Sequence, residues 1–171
     1  MTEDILLSTL NARYLHAAFG LRYLMANLGG LRYRAALVEF DINQPLGEIA
    51  EAILERNPRI LGLGIYIWNV RPTTELVAIL KRLRPDLVII LGGPEVSHET
   101  VGQDIVGLAD HVITGEADLA FAELCGRLLG GAPGDAEPIP KILHAPLPDL
   151  ARLELPYDLY DDRDIAHRVV Y

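Results

Sequence analysis

Short, uninterrupted apolar runs alternate along the chain with segments in which apolar residues recur at helical spacing. The runs have the length of strands and lack polar alternation, which is typical of parallel strands buried on both faces of a sheet. They lie at residues 5–7, 35–38, 60–66, 87–91 and 112–113. Between them, apolar positions at i, i+3, i+4 and i+7 predict amphipathic helices that begin near residues 21, 46, 76 and 121.

This alternation predicts an α/β fold with a doubly wound, five-stranded parallel sheet. The flavodoxin-like order 2-1-3-4-5 is the usual solution for five strands, and it brings the ends of strands 1, 3, 4 and 5 to one ligand-binding edge. We also expect residues 97–109 to form a helix that Ser97 begins, although two glycines interrupt its apolar face.

The chain changes character after Gly131. Residues 1–131 carry the alternating pattern and predict one α/β domain, whereas residues 132–140 are rich in Pro, Gly and acidic side chains. We interpret residues 132–171 as a linker and a connection toward a further domain. The final apolar residues, from Val169, predict the start of a strand that the sequence does not complete. We therefore expect the sequence to belong to a longer protein.

Composition narrows the class of partner. The formal net charge is -9, from 15 basic and 24 acidic residues, which disfavours a nucleic-acid surface. No apolar run reaches the length of a membrane span, and no basic amphipathic helix suggests a membrane surface. The acidic N-terminus argues against a secretory signal, and Cys125 is the sole cysteine. We therefore expect a cytoplasmic protein in which Cys125 is a buried structural thiol.

Glycine marks the ends of two neighbouring predicted strands, at Gly64 and at Gly92-Gly93. Missing side chains there would let a flat group press against the backbone, with Tyr66 and Trp68 supplying broad faces. The alternative is that the glycines only permit close packing of helix on sheet and that Trp68 anchors the core. No phosphate-binding glycine loop follows the first or third strand, which disfavours a nucleotide or flavodoxin-type cofactor.

The pattern resembles cobalamin-binding domains, which carry Asp-x-His-x-x-Gly, Ser-x-Leu and Gly-Gly at long, roughly fixed separations. Gly20 occupies the first glycine, residues 64–66 the Ser-x-Leu place, and Gly92-Gly93 the glycine pair. Residues 8–14, 66–69, 92–97 and 114–118 resemble more closely the N-terminal domains of cobalamin-dependent radical S-adenosylmethionine (SAM) enzymes. Residues 155–160 resemble the connection of those enzymes into their catalytic barrel.

The resemblance implies that the chain binds cobalamin, with its nucleotide tail beside the glycines, and that it serves methyl transfer. The motif's Asp and His would fall at Leu15 and Ala17, and His16 is one position away. The resemblance therefore implies cobalamin without a histidine or other strong lower ligand to cobalt. The residues that it places at the cofactor are Thr9, Leu10, Asn11, His16, Gly20, Gly64, Tyr66, Ile67, Trp68, Asn69, Gly92, Gly93, Pro94, Glu95, Gly115 and Glu116.

A single cysteine cannot hold the iron–sulfur cluster of a radical SAM enzyme, which needs three close in sequence. The cluster and SAM would then lie in a C-terminal radical SAM domain in cis, and this chain alone would bind rather than catalyse. One alternative is a degenerate domain that keeps the fold as an interaction or packing module without cofactor. Another is a small-molecule enzyme with a different cofactor, which the missing phosphate loop disfavours. For Glu116, helix capping and contact with the cofactor are equally open.

Overall fold

One parallel sheet organises the chain. The computed structural model describes residues 3–12, 16–98, 100–130 and 138–167. Within these ranges the sheet has six strands in the order β2-β1-β3-β4-β5-β6. The strands are β1 (Ile5–Asn11), β2 (Ala35–Asp41), β3 (Ile60–Gly64), β4 (Val88–Gly92), β5 (His111–Gly115) and β6 (Ile142–Ala145). The helices are α1 (Phe19–Ala26), α2 (Leu46–Glu55), α3 (Val70–Leu83), α4 (Pro94–His98), α5 (Asp104–Leu108), α6 (Asp118–Gly130) and α7 (Asp162–His167).

Both faces of the sheet are covered, because successive side chains of a strand point to opposite sides. Ile5 and Leu7 of β1 pack on the face that α1 and α6 cover. Leu6 and Leu10 pack on the opposite face, together with α2, α3 and α5. The predicted doubly wound, flavodoxin-like fold class is therefore confirmed, and the first five strands take the predicted order.

The sheet has one strand more than the five predicted. Residues 142–145, which we expected in a linker, pair in parallel with β5 from Val112 and Ile142 to Gly115 and Ala145. This strand has four residues and is flanked by Lys141 and Pro146. Its apolar run, Ile142-Leu143, closely follows the Pro- and Gly-rich residues 132–140, so the sequence pattern indicated a linker here.

The expected helix over residues 97–109 is wrong. The structure has two five-residue helices here, α4 and α5, and the segment between them contains Gly102 with φ +88°. A residue with positive φ cannot continue a right-handed helix, so the glycine marks a real break. The strand expected at Val169 lies outside the described residues.

The register of the sheet aligns the glycines. Gly64 at the end of β3 pairs directly with Gly92 at the end of β4. Because all strands are parallel, the ends of β1 and β5 reach the same edge. This edge, on the α1 and α6 face, is where the candidate site lies.

Candidate functional site

A cavity of about 420 Å³ opens at the carboxyl edge of the sheet. Gly64 and Gly92 lie on its sheet side, Leu21 and Leu24 of α1 form one wall, and Phe121 of α6 contributes to the other. The lining is mainly apolar, with the polar groups of Tyr66, Ser97, His98, Glu116 and Asp118 added. A mostly apolar cleft with a few polar groups is the usual form of a cofactor site.

Gly64 and Gly92 lack side chains although the surrounding protein leaves room for them. A Cβ on Gly64 would lie 3.5 Å from its nearest neighbours, and one on Gly92 would lie 3.8 Å from the Ile113 carbonyl oxygen. Both are ordinary van der Waals distances. Since the two residues pair across β3 and β4 and line the cavity, their missing side chains keep its sheet side open.

At Gly93 and Gly115, the backbone conformation and neighbouring backbone atoms require glycine. Gly93 has φ +108°, and a Cβ there would lie 2.5 Å from the Ile65 carbonyl oxygen. Gly115 has φ +82°, and its Cβ would lie 2.7 Å from the Ala145 carbonyl oxygen. Contacts with neighbouring backbone therefore explain these two glycines, whereas Gly64 and Gly92 leave space that a ligand can use.

Asn69 fastens the turn after β3 to the end of β1. Its side-chain amide donates to the carbonyl oxygens of Leu10 and Gly64 and to the Thr9 hydroxyl, each at 3.1 Å. Its side-chain oxygen accepts from the Tyr66 backbone N–H at 2.8 Å, and Thr9 donates to the Gly64 carbonyl at 2.8 Å. Thr9, Leu10 and Asn69 therefore fix the turn that presents Tyr66.

The aromatic pair on this turn is stacked. The rings of Tyr66 and Trp68 lie 4.6 Å apart between centroids and 6° from parallel. Tyr66 lines the cavity, whereas Trp68 is 49% exposed and Ile67 76% exposed at the edge. Burial, assisted by the negative charge of Glu39, raises the pKa of the Tyr66 phenol, which stays protonated at neutral pH. The alternative that Trp68 anchors the core is therefore wrong, because its side chain is half exposed.

Glu39 of β2 holds the entry to α1. One carboxylate oxygen accepts from the Asn11 side chain at 2.9 Å and from the Ala18 backbone N–H at 2.6 Å. The other accepts from Arg22 at 3.0 Å. His16 is exposed on the connection between β1 and α1, and Asn11 is occupied with Glu39. No local pattern singles out Glu39, because its partners lie far from it along the chain.

Ser97 ties the cavity rim together. Its hydroxyl donates to the Gly93 carbonyl at 2.9 Å and accepts from the Gly115 backbone N–H at 3.4 Å. Glu116 is exposed on the rim. Asp118 starts α6, and burial, opposed by a backbone hydrogen bond and assisted by the charge of Glu116, raises the pKa of its carboxyl group.

Half of the residues singled out from the sequence meet at the cavity. Those that line it are Gly20, Gly64, Tyr66, Gly92, Gly93, Pro94, Gly115 and Glu116. The side chain of Leu10 packs in the core on the opposite face of the sheet. The others that do not line the cavity are Thr9, Asn11, His16, Ile67, Trp68, Asn69 and Glu95. The sequence analysis missed the apolar walls, which the helical stripes of α1 and α6 could have indicated.

Metal clusters and membrane-spanning helices are both absent from the part of the chain that the structure describes. No group of three or more His, Cys, Asp or Glu side chains is arranged there to hold a metal ion. None of the helices described combines the length and the apolarity needed to cross a bilayer.

Known proteins resemble this chain over the same region. The B12 binding domain family matches residues 6–125. A stretch of 90 residues, 52% of the chain, is 30% identical to the cobalamin-dependent radical SAM methyltransferase TokK of Streptomyces tokunonensis and spans 13% of that protein. The chain thus corresponds to a small part of this relative.

Solved structures agree with this fold. The crystal structure of a cobalamin-binding protein from Desulfitobacterium hafniense DCB-2 is 28% identical, with a TM-score of 0.53, over 74% of this chain and 59% of that one. The cobalamin-dependent SAM radical enzyme OxsB has a TM-score of 0.59 at 15% identity, over 74% of this chain and 18% of that one, a likeness of fold. This chain therefore belongs to the B12-binding domain family and is homologous to the corresponding domain of cobalamin-dependent radical SAM methyltransferases.

Proposed function

We propose that this chain is the cobalamin-binding part of a radical SAM enzyme that transfers methyl groups. Residues 1–131 are the cofactor-binding unit, and residues 132–171 lead toward a radical SAM domain of the same polypeptide, in the cytoplasm. That second domain would hold SAM and the iron–sulfur cluster. The family match and the similarity to TokK support the proposal.

The observation that carries the proposal is the open cavity above Gly64 and Gly92. Its volume of about 420 Å³ and its apolar walls suit the flat aromatic base that ends the nucleotide tail of cobalamin. Contacts within the protein do not require glycine at either position, and the space left there supports a bound ligand.

The remaining residues at the edge would face the corrin ring. Ile67 and Trp68 present an apolar surface there, and Glu95 and Glu116 have polar groups for the amides of the corrin periphery. When bound, cobalamin supplies a carrier for a methyl group. The chain's own part is to bind the cofactor, orient it and keep a strong nitrogen ligand away from cobalt.

Retention of cofactor tests the proposal. After incubation with hydroxocobalamin and desalting, the wild-type chain should keep a red chromophore. Gly92→Leu should lose it at least about tenfold, because the new side chain enters the cavity. Gly126→Leu is the matched control, since Gly126 is exposed on α6 with open space around it. A colourless wild-type chain would favour the packing module without cofactor, and full retention by Gly92→Leu would refute the assigned cavity.

The absence of a histidine ligand has its own test. The absorption spectrum of the loaded chain should lack the signature of imidazole bound to cobalt, and His16→Ala should leave that spectrum unchanged. A histidine-ligated spectrum that disappears in His16→Ala would contradict this part of the proposal.

The second domain is tested on the gene. The reading frame downstream of Tyr171 should encode Cys-x-x-x-Cys-x-x-Cys, the spacing that holds a four-iron cluster. A stop codon directly after Tyr171 would exclude a radical SAM domain in cis.

A further inference from the structure

The phenol hydroxyl of Tyr66 forms no hydrogen bond with any of the residues that the structure describes. Its backbone N–H is held by Asn69 and its ring is stacked on Trp68, so the side chain is fixed in place. A donor that is fixed in place and faces an open cavity is available to a ligand that offers an acceptor there.

The position of the hydroxyl places it at the cavity. The phenol oxygen lies 3.7 Å from the point that a Cβ would occupy on Gly20, and a ring carbon lies 3.5 Å from the corresponding point on Gly64. Both glycines and Tyr66 line the cavity. The ring therefore crosses from the end of β3 toward the start of α1.

The other polar groups of the cavity are occupied or poorly suited to donate. Ser97 already donates to the Gly93 carbonyl. His98 and Glu116 are exposed. Asp118, at the start of α6, donates only while its carboxyl group is protonated. The neutral phenol remains a donor across the physiological pH range, which its raised pKa favours.

We propose that Tyr66 is a specificity-determining residue that donates a hydrogen bond to the ring nitrogen of the cofactor's lower base. This inference rests on the proposed function. The free base offers one nitrogen lone pair, and burying it in an apolar cavity without a donor would cost free energy. A lone pair that accepts from Tyr66 is also unavailable to cobalt. The chain would therefore select cobamides whose lower base has such a nitrogen.

Three probes separate this role from general support of the fold. Equilibrium binding is measured by absorbance with cobalamin, with cobinamide, which lacks the nucleotide tail, and with a cobamide whose lower base is a phenol without a ring nitrogen. Tyr66→Phe keeps the ring that stacks on Trp68 and removes only the hydroxyl. Tyr33→Phe is the matched control, because Tyr33 is 74% exposed and does not line the cavity. Far-ultraviolet circular dichroism checks that each variant is folded.

Tyr66→Phe should bind cobalamin about tenfold more weakly, the size expected for one hydrogen bond to a buried acceptor. Its affinity for cobinamide and for the phenolic cobamide should equal that of the wild type. An equal loss with all three ligands, or no loss with cobalamin, would overturn the assignment. A selective loss in Asp118→Ala with none in Tyr66→Phe would transfer the role to Asp118 and refute it for Tyr66. If the wild-type chain bound none of the three, the proposed function itself would fail.

Discussion

Gly92 and Gly93 differ in how much a side chain added there would destabilise the fold, and this difference can be measured on the protein without ligand. Gly93→Ala should lower the free energy of unfolding by about 3 kcal/mol, because φ +108° disfavours any side chain and the new Cβ would meet the Ile65 carbonyl oxygen. Gly92→Ala should change it by less than about 1 kcal/mol, since its Cβ has room. Urea unfolding followed by circular dichroism gives both values. Equal losses in the two variants would contradict the distinction.

Cys125 is buried, and the pKa of its thiol is strongly raised. Burial raises the pKa of its thiol from 9.0 to about 12, so the folded form binds the proton more tightly than the unfolded form. The corresponding stability is fully present below pH 9.0 and is lost as the pH rises toward about 12. The urea midpoint should therefore fall over that range, and less so in Cys125→Ala. At pH 8, iodoacetamide should label the unfolded chain far faster than the folded one, and rapid labelling of the folded chain would contradict burial of the thiol.

At the scale of elements, a buried ion cluster attaches α7 to α1 and β2. Arg22 of α1 donates to Glu39 at 3.0 Å and to Asp164 at 2.8 Å, and its guanidinium lies 4.8 Å from the centroid of the Tyr160 ring. The side chains of Arg22, Glu39 and Asp164 are at most 9% exposed. The segment that leads toward the C-terminus is therefore held against the same helix start that Glu39 braces.

Removing one member of this cluster should detach the segment. Asp164→Asn should cost about 3 kcal/mol, because Arg22 loses a buried charged partner. Limited proteolysis should then cut the segment around residues 157–167 sooner than in the wild type. Asp158→Asn is the matched control. Asp158 forms an exposed ion pair with Arg32, and the hydrogen bond from Arg32 lowers the pKa of its carboxyl group. Because solvent screens an exposed pair, its loss should change the stability little. If both variants unfolded and were cleaved alike, the cluster would not be what holds α7.

Most elements that the sequence predicted repeat at regular spacing along the chain, and this repetition also identified the short runs of β2 and β5. The apolar runs of β1, β3 and β4 and the stripe on α3 are long enough to indicate their type and burial. The strand Ile142–Ala145 is paired only because β5 offers an open edge, which is a tertiary cause with no local signal. Gly102 ended a helix that the apolar positions alone would have continued.

For the whole molecule, the sequence could indicate the edge of the sheet at which the cavity lies but only partly the residues that surround it. Glycines at strand ends, read together with the parallel topology, predicted the edge at which Gly64 and Gly92 meet. The sequence could not distinguish Gly92, which has room for a side chain, from Gly93, which has none, because that depends on the backbone of Ile65. The bracing by Asn69 and Glu39 likewise depends on contacts between distant parts of the chain.

Binding of cobalamin should stabilise the whole fold, since the cavity exists only when β3, β4, α1 and α6 are assembled. A ligand that binds the folded state alone adds about 2.7 kcal/mol at a free concentration one hundred times its dissociation constant. Hydroxocobalamin should therefore raise the urea midpoint of the wild-type chain and of Gly126→Leu in proportion to the logarithm of its concentration. Gly92→Leu should show little or no shift, although it is folded without ligand. A midpoint shift of equal size in Gly92→Leu would mean that the cofactor binds elsewhere on the molecule.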